Sequence, residues 1–181
     1  MVKYPEVFTE ALCVKTLIDV VNAMKYLHEH RIIHRDLKPD NILMLSLNPN
    51  STVVAKVSDF GTTRDVSNLT TRSNLTRCIG TPLFMAPEMI KGEKYDRSVD
   101  VYSFSLVVYT LFARKLPYEN EFPSAWSVSS AVVLGKRPDI PKDCPDDIVR
   151  MMIQCWDADP SKRPSFAVID DFLCDYFILN C

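Results

Sequence analysis

The sequence has 181 residues, which suits one domain with a sizeable core, since about 150 residues is the usual domain size. Its formal net charge is -2 and its acidic and basic residues are interspersed, which excludes a basic stripe for nucleic acid. Six cysteines form no C-x-x-C pair and indicate reduced thiols in a cytoplasmic protein. The longest apolar runs without a charge, 101–113 and 122–135, are shorter than the roughly 18 residues of a membrane span.

The first predicted element is an amphipathic helix over 16–29. One helical face carries the apolar residues Leu17, Val20, Val21, Met24 and Leu27. We predict that this face packs in the core. His28 and His30 lie at the helix end, where we predict solvated side chains without a role in a site.

A β-hairpin is predicted next, because two short apolar runs, 41–47 and 52–58, flank the turn-forming residues N-P-N-S. The lysine between the apolar residues of the second run, Lys56, is then an ordinary strand residue. The segment 59–81 that follows is polar and long for a compact domain, which predicts a mobile surface segment with a functional reason to be there.

The rest of the chain is predicted to be mainly helical. Residues 99–112 are apolar on nearly all sides, as in a helix buried in the core. Beyond them, helical patterns alternate with loops marked by proline. The predicted fold class is therefore α+β, mostly α-helical with a small β-hairpin, in one unit over 1–181.

Three motifs along the chain are rich in residues that can carry chemistry. They are H-R-D-L-K-P-D-N at 34–41, D-F-G at 59–61 and G-T-P-L-F-M-A-P-E at 80–88. In this order they resemble the catalytic loop, the magnesium loop and the end of the activation segment of a eukaryotic protein kinase. The resemblance implies ATP as co-substrate, Mg²⁺ as cofactor and proteins as phosphate acceptors.

The resemblance also implies catalytic roles. Asp36 is the carboxylate that accepts the proton of the acceptor hydroxyl, and Lys38 neutralises the transferring phosphoryl group. Asn41 and Asp59 offer the hard oxygen ligands that Mg²⁺ prefers. Leu43, on the first hairpin strand, matches the apolar residue under the adenine ring.

Further residues match the structural supports of the kinase family. Asp100 matches the acid that anchors the backbone of the catalytic loop, which explains a carboxylate in an apolar helix. Glu88 and Arg163 match an ion pair that ties the activation segment to later helices. His34 and Phe60 match the lower half of the stacked spine between the two kinase lobes, although His34 could equally be an ordinary core histidine.

Regulation is expected to act through the polar segment. A phosphate there could pair with Arg35 and Arg64 and order the segment through charge-assisted hydrogen bonds. Thr76 is the first candidate phosphosite. The alternatives are Thr70, Thr71 and Ser73. Thr81 matches the family threonine that bonds the catalytic aspartate and lysine.

Specificity is indicated by the residues around the catalytic aspartate. Tyrosine kinases usually have D-L-A-A-R-N where this chain has D-L-K-P-D-N, so Lys38 points to serine or threonine acceptors. D-V-Y-S-F and C-W-D-A-D-P-S-K-R-P-S-F instead resemble tyrosine kinases and their Ser/Thr-specific relatives. The combination resembles the tyrosine-kinase-like group, from which Ser105 departs where glycine is common.

Only the C-terminal lobe of a kinase is covered by this resemblance. A complete kinase has a β-rich N-terminal lobe with a glycine-rich loop and an ATP-gripping lysine, whereas all four glycines here follow the catalytic loop. Lys56 stands just before D-F-G and cannot be that lysine. We therefore expect a partial kinase domain over 1–181, inactive without the missing lobe, whose apolar surface around Leu43 and Phe60 could receive that lobe or a partner kinase. The alternative is a non-catalytic module that binds kinase substrates or a partner kinase.

Overall fold

A computed structural model describes residues 7–65 and 82–181, except for the side chains of Arg64, Asp65 and Ala125. The expectations for Thr70, Thr71, Ser73, Thr76 and Thr81 lie outside the described residues. The helices are α1 Glu10–Glu29, α2 Pro87–Lys91, α3 Ser98–Ala113, α4 Ala125–Val133, α5 Asp146–Cys155 and α6 Phe166–Asn180. The strands are β1 Ile32–Ile33, β2 Ile42–Met44, β3 Ala55–Val57 and β4 Arg64–Asp65.

Helix α1 begins earlier than the periodic pattern predicted. Thr9 caps it, because the Thr9 side chain accepts a hydrogen bond from the backbone N–H of Leu12 at 3.3 Å. All five residues of the predicted apolar face are buried, which confirms the core-facing helix. This face packs against α3 and the hairpin, and α1 also makes extensive contact with α6.

The predicted hairpin is confirmed, with strands β2 and β3 of only three residues each. They pair in antiparallel register, with Ile42 opposite Val57 and Leu43 opposite Lys56. Ala55 and Val57 are buried, whereas Lys56 between them is exposed, as expected of an ordinary strand residue.

The hairpin is held on α1 by hydrogen bonds to a carboxylate that the sequence pattern did not predict. Asp19 Oδ2 accepts the backbone N–H groups of Val54 at 2.6 Å and Ala55 at 3.1 Å. Asp19 Oδ1 also contacts Lys15 Nζ at 2.7 Å. The orientation of the hairpin relative to the helix is thus held by hydrogen bonds as well as by apolar packing.

A second antiparallel pair, β1 with β4, was not predicted. Ile32 lies opposite Asp65 and Ile33 opposite Arg64. Strands of two residues leave no alternating pattern in a sequence, and this pairing joins segments that are 31 or more residues apart. It brings the start of the 34–41 motif next to the residues that follow 59–61.

Helix α3 is buried on nearly all sides, which confirms the prediction for 99–112. It packs against α5, whose buried residues include Ile148 and Met152. In the described part of the chain, strands occur only as these two short pairs, so the fold is α+β and mostly helical. Free thiols are found at Cys13, Cys144, Cys155, Cys174 and Cys181.

A bilayer crossing needs a long, strongly apolar helix. None of the helices within residues 7–65 and 82–181 combines the necessary length and hydropathy.

Candidate active site

The loop that connects β1 to β2 brings three of the predicted catalytic residues together. The carboxylate oxygen Oδ2 of Asp36 accepts hydrogen bonds from Lys38 Nζ at 2.8 Å and from Asn41 Nδ2 at 3.2 Å. Asn41 Nδ2 also donates to the backbone oxygen of Asp36 at 2.8 Å, across the 3-10 turn Pro39–Asn41. Asp36 is buried. The hydrogen bonds from the Lys38 ammonium and the Asn41 amide therefore hold its carboxylate in a defined position.

The backbone before Asp36 is held by Asp100 of α3. Asp100 Oδ2 accepts the N–H of His34 at 2.9 Å, and Oδ1 accepts the N–H of Arg35 at 2.8 Å. Arg35 has a φ of 69°, a left-handed conformation that costs a residue with a side chain about 1–2 kcal/mol. The two charge-assisted hydrogen bonds offset this cost and fix the direction from which Asp36 leaves the backbone.

The third hydrogen bond to Asp100 comes from His28, which corrects a prediction. His28 Nε2 donates to Asp100 Oδ2 at 2.9 Å, and the side chain is buried. The prediction of a solvated His28 is therefore wrong, whereas His30 is exposed as predicted. The signal was present in the sequence, because His28 lies four residues after Met24 and continues the apolar face of α1.

Asn41 and Asp59, the predicted metal ligands, lie at the same end of the hairpin. Asn41 directly precedes β2 and Asp59 follows β3 by two residues, while Ile42 pairs with Val57. The N–H of Ser58 donates to the backbone oxygen of Asn41 at 2.8 Å and secures this end. Asp59 itself is exposed, with a left-handed φ of 62°.

The donor atoms at this end fit Mg²⁺. Because Asn41 Nδ2 is engaged with Asp36, the atom that Asn41 can offer to a metal ion is its amide oxygen. Asp59 adds a carboxylate, of which Oδ1 accepts the N–H of Gly61 at 3.2 Å. Residues 7–65 and 82–181 contain no cluster of three or more His, Cys, Asp or Glu suited to a metal ion. Mg²⁺ commonly keeps several waters and takes only one or two protein ligands beside substrate phosphates, which is compatible with Asn41 and Asp59 as the protein ligands.

The turn Phe60–Thr62 is tied to the 34–41 loop. Arg35 Nε donates to the backbone oxygen of Thr62 at 2.5 Å, and Arg35 Nη2 donates to the same oxygen. Thr62 Oγ1 donates to the backbone oxygen of His34 at 2.9 Å. Arg35 Nη1 is buried and has no hydrogen-bond partner among the described residues. For Arg64 the structure describes only the backbone, which pairs with Ile33.

His34 and Phe60 are in ring contact, with centroids 5.6 Å apart in an edge-to-face arrangement. His34 Nε2 donates to the backbone oxygen of Ser58 at 3.2 Å, and Nδ1 accepts the N–H of Asp36 at 3.4 Å. His34 is thus fully buried between the two motifs. Phe60 and Leu43, by contrast, keep 51% and 52% of their surfaces exposed, so an apolar face is open in the described structure.

Glu88 and Arg163 form a buried bidentate ion pair. Arg163 Nη1 lies 2.6 Å from Glu88 Oε1, and Nη2 lies 3.0 Å from Oε2. Arg163 also donates to the backbone oxygens of Asp157 and Ser98. The pair links α2, which closes the 80–88 motif, to the loop between α5 and α6.

Comparison with known proteins agrees with this arrangement. The family profile described as "Protein kinase domain" matches residues 1–177. A probable LIM domain-containing serine/threonine-protein kinase of Dictyostelium discoideum is 44% identical over 155 residues, which cover 86% of this chain and 22% of the relative. The probable serine/threonine-protein kinase gdt2 of the same organism is 40% identical over 88% of this chain and 10% of its own length.

A plant protein is similar over more of the chain. The serine/threonine-protein kinase STY17 of Arabidopsis thaliana is 38% identical over 172 residues, which cover 94% of this chain and 28% of the relative. The chain therefore spans less than a third of the length of each of these three proteins. The kinase resemblance inferred from the motifs is confirmed, and the chain belongs to the protein kinase domain family, with serine/threonine kinases among its relatives.

Proposed function

We propose that this chain is the C-terminal, catalytic lobe of a protein serine/threonine kinase and transfers the γ-phosphoryl group of ATP to protein hydroxyls. The observation that carries the proposal is the buried Asp36 carboxylate, held by Lys38 and Asn41 in a loop anchored to Asp100. The relatives named as serine/threonine kinases support the choice of acceptor. Use of ATP in turn favours a cytoplasmic location for the reaction.

Asp36 acts as the base in this proposal. Its carboxylate orients the acceptor hydroxyl and takes its proton as the hydroxyl oxygen attacks the phosphorus. Lys38 Nζ lies 2.8 Å from the carboxylate. In this proposal its positive charge also stabilises the negative charge that develops on the transferring phosphoryl group. The contact between the two side chains supports a role for both in the same transfer step.

Asn41 and Asp59 are the residues that would hold Mg²⁺ in this proposal. When bound there, the ion neutralises charge on the ATP phosphates. Asn41 also restrains Asp36 through its amide nitrogen, so the same side chain serves the metal site and the base. Leu43 offers an exposed apolar side chain for the adenine ring.

The proposal includes a requirement for a second lobe. Residues 1–181 contain no glycine-rich loop upstream of Asp36. They also contain no match to the strand lysine with which a kinase N-terminal lobe binds the ATP phosphates. Loss of one preorganised electrostatic group typically raises a barrier by about 3 kcal/mol, and several are missing here. The exposed side chains of Leu43 and Phe60 are the surface on which an N-terminal lobe would rest.

The decisive experiment is a phosphotransfer assay with Mg-ATP and a Ser/Thr peptide library. The chain is assayed alone and as a fusion behind the β-rich lobe of a relative, each beside its Asp36→Asn variant. We expect the fusion to be active, its Asp36→Asn variant to be slower by about 10²- to 10⁴-fold, and the chain alone to be at background. Activity of the chain alone above its own Asp36→Asn variant would refute the requirement for a second lobe.

A non-catalytic role is the second candidate, and the exposed apolar side chains of the hairpin and of Phe60 favour it. In this role the chain binds a kinase substrate or a partner kinase through that face. A fusion that binds ATP but is no faster than its Asp36→Asn variant would support this role over catalysis.

Regulation by phosphorylation is part of the proposal. Arg35 Nη1 has no hydrogen-bond partner among the described residues although it is buried, so it suits a phosphate oxygen. Thr76 remains the first candidate phosphosite, with Thr70, Thr71 and Ser73 as alternatives, and Arg64 is the second candidate cation. Phosphopeptide mapping of active protein tests the idea, which fails if none of these four residues is modified.

A further inference from the structure

Two side chains of α1 bind the start of the second hairpin strand. Asp19 Oδ2 accepts the N–H groups of Val54 and Ala55, and Lys15 Nζ donates to the backbone oxygen of Thr52 at 3.0 Å. Lys15 Nζ and Asp19 Oδ1 also form an ion pair, in which the side chains are only 16% and 8% exposed. Hydrogen bonds to a carboxylate are strong, so these contacts hold residues 52–55 on α1. We call them the hairpin clamp.

Val54 connects the hairpin clamp to the first strand. Its backbone oxygen accepts the N–H groups of Leu45 at 2.7 Å and Ser46 at 3.3 Å, directly after β2. The apolar support of this end is a small cluster apart from the main core, made of Leu12, Val54 and Ala55 with Phe8, Ile42 and Met44 at its edge. A two-stranded hairpin is marginally stable by itself, so its position depends on such attachments.

The opposite end of the hairpin is held separately. His34 Nε2 donates to the backbone oxygen of Ser58 at 3.2 Å, and the N–H of Ser58 donates to the backbone oxygen of Asn41 at 2.8 Å. Asn41 Nδ2 in turn bonds the Asp36 carboxylate. Leu43 lies between the two attached ends. Loss of the hairpin clamp would therefore leave Asn41 beside Asp36 and would free Leu43 to move.

We infer that Asp19 is a positioning residue for the nucleotide, because it sets the angle of the hairpin and thereby the place of Leu43 relative to Asn41. The inference rests on the proposed function, in which Leu43 meets the adenine ring. Strands rise about 3.4 Å per residue, so Leu43 lies roughly 7 Å along the strand from Asn41. A tilt of about 10° at Asn41 would then displace Leu43 by roughly 1 Å, more than the ~0.5 Å that a binding site tolerates.

The first test measures amide hydrogen exchange by NMR in variants of the 181-residue chain. Asp19→Ala removes the acceptor, whereas Asp19→Asn keeps an acceptor oxygen for the two N–H groups. Asp170→Ala is the matched control, because Asp170 also pairs with a lysine of α1 at 2.7 Å and is 13% exposed, but lies on α6. The informative amides are Leu45 and Ser58 at the two ends of the hairpin, with Val107 of α3 as the reference.

In Asp19→Ala we expect the Leu45 amide to exchange faster by about tenfold to a hundredfold, the range that loss of a hydrogen bond to a charged group predicts. Exchange at Ser58 and Val107 should stay near wild type, Asp19→Asn should lie closer to wild type than Asp19→Ala, and Asp170→Ala should have no effect at Leu45. Unchanged exchange at Leu45 overturns the inference. An equal rise at Val107 also overturns it, because Asp19 would then only stabilise the whole fold.

Lys15→Met is a milder variant that keeps the inference falsifiable if Asp19→Ala does not fold. It removes the hydrogen bond to Thr52 and leaves the Asp19 carboxylate in place. Exchange at Leu45 should rise in this variant as well, by less than in Asp19→Ala. An unchanged Leu45 amide in Lys15→Met, with Asp19→Ala unfolded, overturns the inference.

The second test measures nucleotide affinity in the fusion with a β-rich lobe. Titration of the fluorescent nucleotide mant-ADP in the presence of Mg²⁺ gives the Kd. Asp19→Ala should weaken binding by about fivefold to thirtyfold, the range for partial loss of the burial of one leucine side chain. At saturating ATP its kcat and its KM for the peptide should stay near wild type, because Asp36 is held from the other end. Asp170→Ala should leave the Kd unchanged.

The two proposals fail in different ways. An unchanged Kd in Asp19→Ala, or an equal loss in Asp170→Ala, overturns the role of Asp19. A fall in kcat without a change in Kd overturns it too, because Asp19 would then act on the transfer step. If the wild-type fusion binds mant-ADP but transfers no phosphate, the proposed function fails, whereas the titration still decides the role of Asp19.

Discussion

Glu88 and Arg163 face each other with two parallel hydrogen bonds of 2.6 and 3.0 Å, although they are 75 residues apart in the sequence. Both side chains are buried, with exposed fractions of 7% or less. A buried ion pair contributes little net stability when intact, but removal of one partner leaves the other charge without compensation in a poorly solvated site.

Arg163→Met is therefore expected to lower the free energy of unfolding by about 3–5 kcal/mol. Urea denaturation followed by circular dichroism gives the value. Arg150→Met is the matched control, because Arg150 forms an ion pair with Asp147 in which both side chains are more than half exposed. That variant should change the free energy of unfolding by less than about 1 kcal/mol. Equal effects of the two substitutions would contradict the argument.

Asp59→Asn is expected to abolish divalent-metal binding at the end of the hairpin, because an amide oxygen is a weaker ligand than a carboxylate for a hard cation. Mn²⁺ added to the wild-type chain should broaden the NMR signals of the Asn41 and Asp59 amides, and Mg²⁺ should compete. The control is Asp159→Asn, which alters an aspartate that caps the turn Pro160–Lys162. Broadening that survives Asp59→Asn unchanged would rule Asp59 out as a ligand.

The open apolar face predicts self-association. Leu43→Ser combined with Phe60→Ser should reduce the concentration-dependent rise of the sedimentation coefficient of the chain, because each side chain exposes about half of its surface. Trp126→Ser is the control, since Trp126 is 75% exposed but lies on α4. A larger effect of Trp126→Ser than of the double variant would place the association surface on α4 instead.

The buried thiol of Cys144 predicts a loss of stability at alkaline pH. Burial raises the pKa of Cys144 from 9.0 to about 12. Between these values the folded chain keeps the proton and the unfolded chain releases it, so the free energy of unfolding falls as pH rises from about 9 to 12. Below pH 9 the contribution of this group to stability is fully present.

Cys144→Ala removes the titrating thiol and should make the free energy of unfolding less dependent on pH. Urea denaturation at about pH 8 and about pH 11 gives the comparison. Leu134→Ala, at an exposed position without a titratable group, should retain the wild-type pH dependence. A Cys144→Ala chain with the full alkaline loss would show that other buried thiols and phenols account for it.

The order of the three motifs and the apolar periodicity of the helices identified the kinase family and the mostly helical fold from the sequence alone. Periodicity was sufficient for α1 and α3 because their buried faces are long, and turn residues located the hairpin. The apolar residues on either side of Lys56 also predicted correctly that Lys56 lies on a hairpin strand.

The sequence resemblance singled out Asp100 as a support of the loop, but only the tertiary structure showed the roles of His28 and Asp19. His28 to Asp100 spans 72 residues and Asp19 to Val54 spans 35, and no local pattern reports contacts over such separations. The pairing of β1 with β4 was not predicted either. Its partners lie far apart in the sequence, and strands of two residues show no alternating pattern. Sequence thus determined which residues could do chemistry, whereas long-range hydrogen bonds to buried carboxylates decided how those residues are held, because such bonds depend on distance in space and not on spacing along the chain.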